Sequence, residues 1–134
     1  MKTIISIITA VFLAVSMSLI SPAAANGADR AETTKSVSGI KATLAVSPDK
    51  SMVDLYLTDE ATGREIRTAK VRALISTPGN PSKKIEKELI GMSMDGRFSF
   101  MNSLDMSFKG SYSFEIQVEH EKRRARFIFT YEKR

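Results

Sequence analysis

The sequence predicts an all-β fold, a seven-stranded immunoglobulin-like antiparallel sandwich, and three observations lead there. Apolar residues recur with period two over most of the chain, as in strands with one buried face. Turn-forming residues interrupt that alternation every 8–12 residues or so, the spacing of short strands in a sandwich. The 134 residues include no cysteine, so a hydrophobic core alone must hold the domain.

The alternation begins at Val37. Ile40, Ala42, Leu44 and Val46 alternate with Lys41, Thr43 and Ala45 as far as the turn Ser47-Pro48-Asp49-Lys50. Proline fixes φ there, and aspartate can bond its own backbone. Val53, Leu55 and Leu57 then alternate with Asp54, Tyr56 and Thr58, placing those three outward. A turn over 59–64 contains Gly63, which takes positive φ at little cost. Val71, Ala73 and Ile75 mark the third strand, with Lys70 and Arg72 facing out. The stretch 76–82, with two prolines and a glycine, reads as an irregular loop. Ile85–Ile90 fits either a helical turn or a charged strand; its shortness and strand neighbours favour the strand. Met94-Asp95-Gly96-Arg97 reads as a hairpin turn opening Phe98-Ser99-Phe100, and 102–109 as a connection.

The last two strands carry the strongest signal. Tyr112, Phe114, Ile116 and Val118 alternate with polar residues, as do Ala125, Phe127, Phe129 and Tyr131 with Arg126, Ile128 and Thr130. Centring the turn between Glu121 and Lys122 pairs Val118 with Ala125, Ile116 with Phe127, Phe114 with Phe129 and Tyr112 with Tyr131. The same register sets Glu119 opposite Arg124. A slip of one residue would push Phe127 and Phe129 into water.

Ahead of the domain, residues 1–25 read as a secretory signal peptide. Lys2 precedes an apolar stretch from Ile4 to Ile20, Pro22 breaks it, and Ala23-Ala24-Ala25 supplies small residues for cleavage. An uncleaved anchor is the alternative reading, because about 17–20 apolar residues just span a bilayer. Residues 26–36 are polar and aperiodic and read as a flexible leader, leaving 37–134 as the domain. The expected location is the periplasm or the exterior.

The formal net charge is +5, or +4 without Lys2, with the excess concentrated late in the chain. Export and the lack of any helix-turn-helix or RNA-binding motif exclude nucleic acid as the expected partner. Lys122, Arg123, Arg124 and Arg126 are the residues to place against a protein, an envelope component or an anionic membrane surface. They equally suit a solvated face.

The residues for catalysis are missing. Gly91-Met92-Ser93-Met94-Asp95 approaches a nucleophile elbow, but Asp95 stands where glycine belongs, and the one histidine, His120, falls in a turn. The acidic residues form neither a facing carboxylate pair nor a calcium loop. No enzyme is expected. Methionine is the compositional exception: Met92, Met94, Met101 and Met106 fall within fifteen residues. Thioethers suit cuprous ion and survive where thiols oxidise. Met92 and Met94, two apart, share a face of an extended segment, and Met101 can approach them across the hairpin. These three are the candidate metal ligands, with copper the metal they would suit, but adaptable core filling is the favoured reading and no cofactor or tight copper site is expected.

The stretch Val53-Asp54-Leu55-Tyr56-Leu57-Thr58-Asp59, followed by Gly63-Arg64-Glu65-Ile66 and Ala69-Lys70-Val71, resembles the YtkA-like family of exported sandwich domains, which includes FixH-type proteins. Gly96-Arg97-Phe98 and the run from Leu104 to Phe114 resemble its second half, so the likeness covers about residues 38–132. The resemblance implies an extracytoplasmic, non-enzymatic domain of a kind found near copper transport or oxidase assembly. Many members carry a Met- and His-rich loop after the third strand. Here that loop, Ser76-Thr77-Pro78-Gly79-Asn80-Pro81, has neither residue, so the resemblance names no ligand. The expected function is an exported accessory or interaction domain, with methionine-based copper handling as the alternative.

Overall fold

The computed structural model describes residues 30–94 and 96–134. The expected signal peptide lies outside the described residues. Among the described residues there are eight antiparallel strands: β1 (Ala31–Val37), β2 (Ile40–Ser47), β3 (Met52–Asp59), β4 (Lys70–Thr77), β5 (Asn80–Met94), β6 (Arg97–Ser103), β7 (Gly110–His120) and β8 (Arg123–Lys133). They join in one sheet of order β1-β2-β3-β6-β5-β4-β7-β8.

The sequence expectation of seven strands corresponds to β2–β8. The eighth, β1, occupies most of the segment read as a leader. It pairs with β2 along its whole length, from Ala31 opposite Val46 to Val37 opposite Ile40. Its middle residues are exposed on both faces. Such a strand has no apolar alternation to detect, because backbone pairing, not side-chain burial, holds it.

The sheet is continuous and curls into a nearly closed, barrel-like arrangement of two facing halves; the all-β antiparallel class is as expected, while the strand order gives the immunoglobulin-like form no support. The reason lies in β5, fifteen residues long. Its first part pairs with β4, from Asn80 opposite Thr77 to Leu89 opposite Val71. Its last five residues pair with β6, from Ile90 opposite Met101 to Met94 opposite Arg97. One strand thus belongs to both halves of the sheet. Asn102 closes the handover by donating its side-chain amide to the Glu88 carbonyl at 2.8 Å. Pro81 and Ser82, expected in an irregular loop, stand at the start of β5, where no strand pairs on the side away from β4. An edge tolerates the missing proline donor.

The two ends of the sheet approach each other. Lys35 of β1 donates to the Ile128 carbonyl of β8 at 2.6 Å, and Arg123 bonds Asp59 at 2.8 Å. Between the halves lies one core. Tyr112, Phe114, Ile116, Phe127 and Phe129 fill it from β7 and β8, and Ile40, Leu44, Leu55 and Leu57 from β2 and β3. Leu104 and Met106 plug it from the loop after β6. Tyr112 satisfies its hydroxyl by donating to the Phe108 carbonyl at 2.6 Å. The β7–β8 register is the expected one throughout, Glu119 opposite Arg124 included.

Candidate functional site

Strand register assembles the site on the outward face of β3, β6 and β5. Residues directly opposite in an antiparallel ladder point to the same side, as do residues two apart along a strand. Asp54 is opposite Met101, and Met101 is opposite Ile90. Met92 and Met94 follow Ile90 at spacing two. Met52, two before Asp54, joins the same face opposite Ser103. Four of the five methionines among the described residues therefore share one surface, while Met106 belongs to the core.

This face differs from an ordinary solvated exterior. Ala45, Ser47, Asp54, Ser99 and Met101 all point away from the core, yet all are buried. Arg97 lies 3.7 Å over the Tyr56 ring, a cation–π stack in the middle of the face. Arg30 reaches in from the edge, donating to Glu32 at 2.9 and 3.1 Å and to the Tyr56 hydroxyl at 3.3 Å.

Asp54 is the unusual member. It is 9 % exposed, and its Oδ1 is buried with no hydrogen-bond partner. Its other oxygen lies 3.9 Å from Arg30 Nη1, a long contact for an ion pair. Burial pushes its carboxyl above the ordinary aspartate range, against the opposing pull of Arg30 and Lys50. An unsatisfied buried carboxylate oxygen is costly, and it is a ready ligand for a cation.

The candidate metal residues divide by exposure. Met101 is 9 % exposed and sits beside Asp54, whereas Met92 and Met94 are 47 % and 54 % exposed. Directly opposite residues have Cβ atoms about 4.5–5.5 Å apart, and diagonal ones about 7–8 Å. Met101 is thus a direct neighbour of Asp54 and a diagonal neighbour of Met92, while Met94 stands at the far end of the strand. One carboxylate and the thioethers form a mixed set of hard and soft donors, of which the thioethers are the ones that suit cuprous ion. Among the described residues no three His, Asp or Glu side chains gather to hold a metal ion. His120 stands apart on β7, its Nδ1 donating to the Thr68 carbonyl at 2.6 Å.

Three of the four basic residues expected to meet a partner are already paired within the chain. Arg123 binds Asp59 at 2.8 Å, Arg124 binds Glu119 at 3.2 Å and Arg126 binds Glu115 at 2.9 Å. Lys122 lies exposed in the turn between β7 and β8. The Arg123 and Arg126 hydrogen bonds hold the Asp59 and Glu115 carboxyls below the usual range.

Sequence reasoning placed the methionines together but missed Asp54 and Arg30. Alternation read Asp54 as solvent-facing, and Arg30 fell in the presumed leader. No local signal marks either one, because Arg30 reaches Asp54 across β2.

No family model matches the chain, and no curated protein does. The likeness to the YtkA-like family therefore gains no support. Solved structures do match in fold. FetP of uropathogenic E. coli superposes with a TM-score of 0.58 at 10 % identity, over 78 % of this chain and 94 % of that one. Copper-reconstituted P19 from Campylobacter jejuni gives 0.62 at 7 % identity, over 78 % and 96 %. A DUF4426 family protein from Pseudomonas aeruginosa gives 0.59 at 16 % identity, over 75 % and 93 %. The chain has the fold of these proteins over most of their length. Copper-bound variants of both FetP and P19 are among the matching structures.

Proposed function

We propose that the chain is an exported, non-enzymatic copper-handling domain that takes cuprous ion on the outward face of β3, β6 and β5. Met101 and Asp54 supply the sheltered ligands and Met92 the exposed one nearest to them, with Met94 further along the same strand. The observation that carries this reading is the buried, unpartnered Asp54 Oδ1 directly across the ladder from a thioether. Fold neighbours solved with copper favour it, and so does the soft donor chemistry of methionine, which an oxidising compartment leaves intact more readily than cysteine.

Titration of the purified domain with cuprous ion against a competing chelator tests the proposal. Stoichiometric binding is expected, weakened about tenfold or more by Met101→Leu and by Asp54→Asn. A triple Met92, Met94 and Met101 to Leu variant that stays folded by circular dichroism and binds as wild type does would overturn it. Docking through residues 122–126 takes second place, because Arg123, Arg124 and Arg126 already answer acidic partners within the chain.

A further inference from the structure

Arg30 stands where an incoming metal ion would have to compete. Its guanidinium makes three contacts of different quality, one of them the 3.3 Å bond from Nη2 to the Tyr56 hydroxyl. Toward Glu32 it donates from Nε and Nη2 at 3.1 and 2.9 Å, both to the single carboxylate oxygen Oε2, a charge-assisted contact. Toward Asp54 it offers one contact at 3.9 Å, beyond hydrogen-bond length, and it leaves Oδ1 unpartnered. Glu32 and Asp54 flank Ala45 in the same cross-strand row, Glu32 opposite Ala45 on one side and Asp54 opposite it on the other. Ala45 is too small to separate them, so one guanidinium reaches both carboxylates over its methyl group.

We infer that Arg30 is a displaceable cation resting over Asp54, with Glu32 as the berth that keeps it when a metal ion takes its place. This rests on the copper reading above and deepens it, because it assigns control of affinity to residues that bind no metal themselves. The arrangement has a physical logic. Displacement sacrifices the long contact to Asp54 and the 3.3 Å bond to the Tyr56 hydroxyl, while the two-donor contact to Glu32 survives. Arg30 is held at the outer strand β1, its side chain 38 % exposed, so it can swing outward without disturbing the core. Glu32 thereby acts as a positioning residue, working on the metal through Arg30.

The experiment is a cuprous-ion titration against a competing chelator on wild type, Arg30→Gln, Glu32→Gln and the double variant. Removing a unit charge this close to the site makes Arg30→Gln bind about five- to fiftyfold tighter. Arg30→Lys keeps the charge and restores affinity toward wild type. Glu32→Gln loosens the berth, leaves Arg30 on Asp54 and weakens binding about threefold. In the Arg30→Gln background the same Glu32 change has almost no effect, a non-additivity that a merely nearby charge would not produce. Equal affinity of wild type and Arg30→Gln would overturn the inference while leaving the copper reading standing. So would a Glu32→Gln effect of the same size in both backgrounds. Absence of binding in every variant removes the copper reading and this one with it.

Discussion

The outward faces of the two halves of the sheet are built on different principles. On β4, β7 and β8, with the first part of β5, charges meet charges across the strands: Arg72 with Glu86, Arg126 with Glu115, Arg124 with Glu119. On β2, β3 and β6, with the last part of β5, the face holds methionines, a stacked arginine and a sheltered carboxylate that lacks a full partner. The first face tolerates change because water can replace every contact it makes. The second has given up that freedom, and a protein keeps a buried unsatisfied acid most readily where a ligand completes it. One core beneath unlike exteriors separates what folds the chain from the face proposed to bind.

Three substitutions and a double-mutant cycle sharpen this comparison, beginning with the shared core. Phe127→Ala removes a fully buried ring from β8 and should cost about 3–5 kcal/mol in denaturant unfolding. A loss near that of a surface site would mean that the halves do not share a core. Gly91→Ala comes next. Its added Cβ would stand 2.7 Å from the Phe98 ring, and displacing that ring should cost about 1–3 kcal/mol. Retained stability would show that the β5–β6 hairpin is looser than the rest.

Asp54→Asn is expected to act in the opposite direction. Replacing a buried, poorly paired charge by a neutral amide should stabilise the metal-free domain by about 1 kcal/mol at neutral pH, while weakening copper binding. Destabilisation on thermal unfolding would show that Arg30 already satisfies the acid. The smallest effect belongs to the charged face. A double-mutant cycle on Arg124 and Glu119 should return about 0.2–1 kcal/mol, falling as salt is added.

Acid pH reads the charged face as a whole. Arg126 holds the folded Glu115 carboxyl below its usual value. Its stabilisation is therefore fully present above the unfolded carboxylate range, near pH 4.3, and lost as pH falls through the lower folded value. A Glu115→Gln variant should accordingly lose less stability than wild type on acidification.

Legibility in the sequence followed the same division. The strands β2–β4 and β6–β8 were readable because each buries one face, and the β7–β8 register because Tyr112, Phe114, Phe127 and Phe129 would all reach water if it slipped. The strand β1 left no such mark. The sharing of β5 between two partners was equally hidden, since pairing partners lie far away in sequence. At the site, Met92, Met94 and Met101 could be placed on one surface by counting along a hairpin. The burial of Asp54 could not, because it depends on a small residue at 45 and on an arginine from a strand that alternation did not reveal.

The long strand β5 also bears on how the chain reaches this state. The β7–β8 hairpin joins neighbours and can close within microseconds, as short hairpins do. The pairing of β3 with β6 ties Met52 to Ser103, and that of β4 with β7 ties Lys70 to Glu119, both across long loops whose closure entropy must be met first. Because β5 is stitched to β4 on one side and to β6 on the other, neither half can register independently of the other. Slow, cooperative folding limited by the threading of this single strand into both ladders is the expected outcome, and stopped-flow refolding checks it.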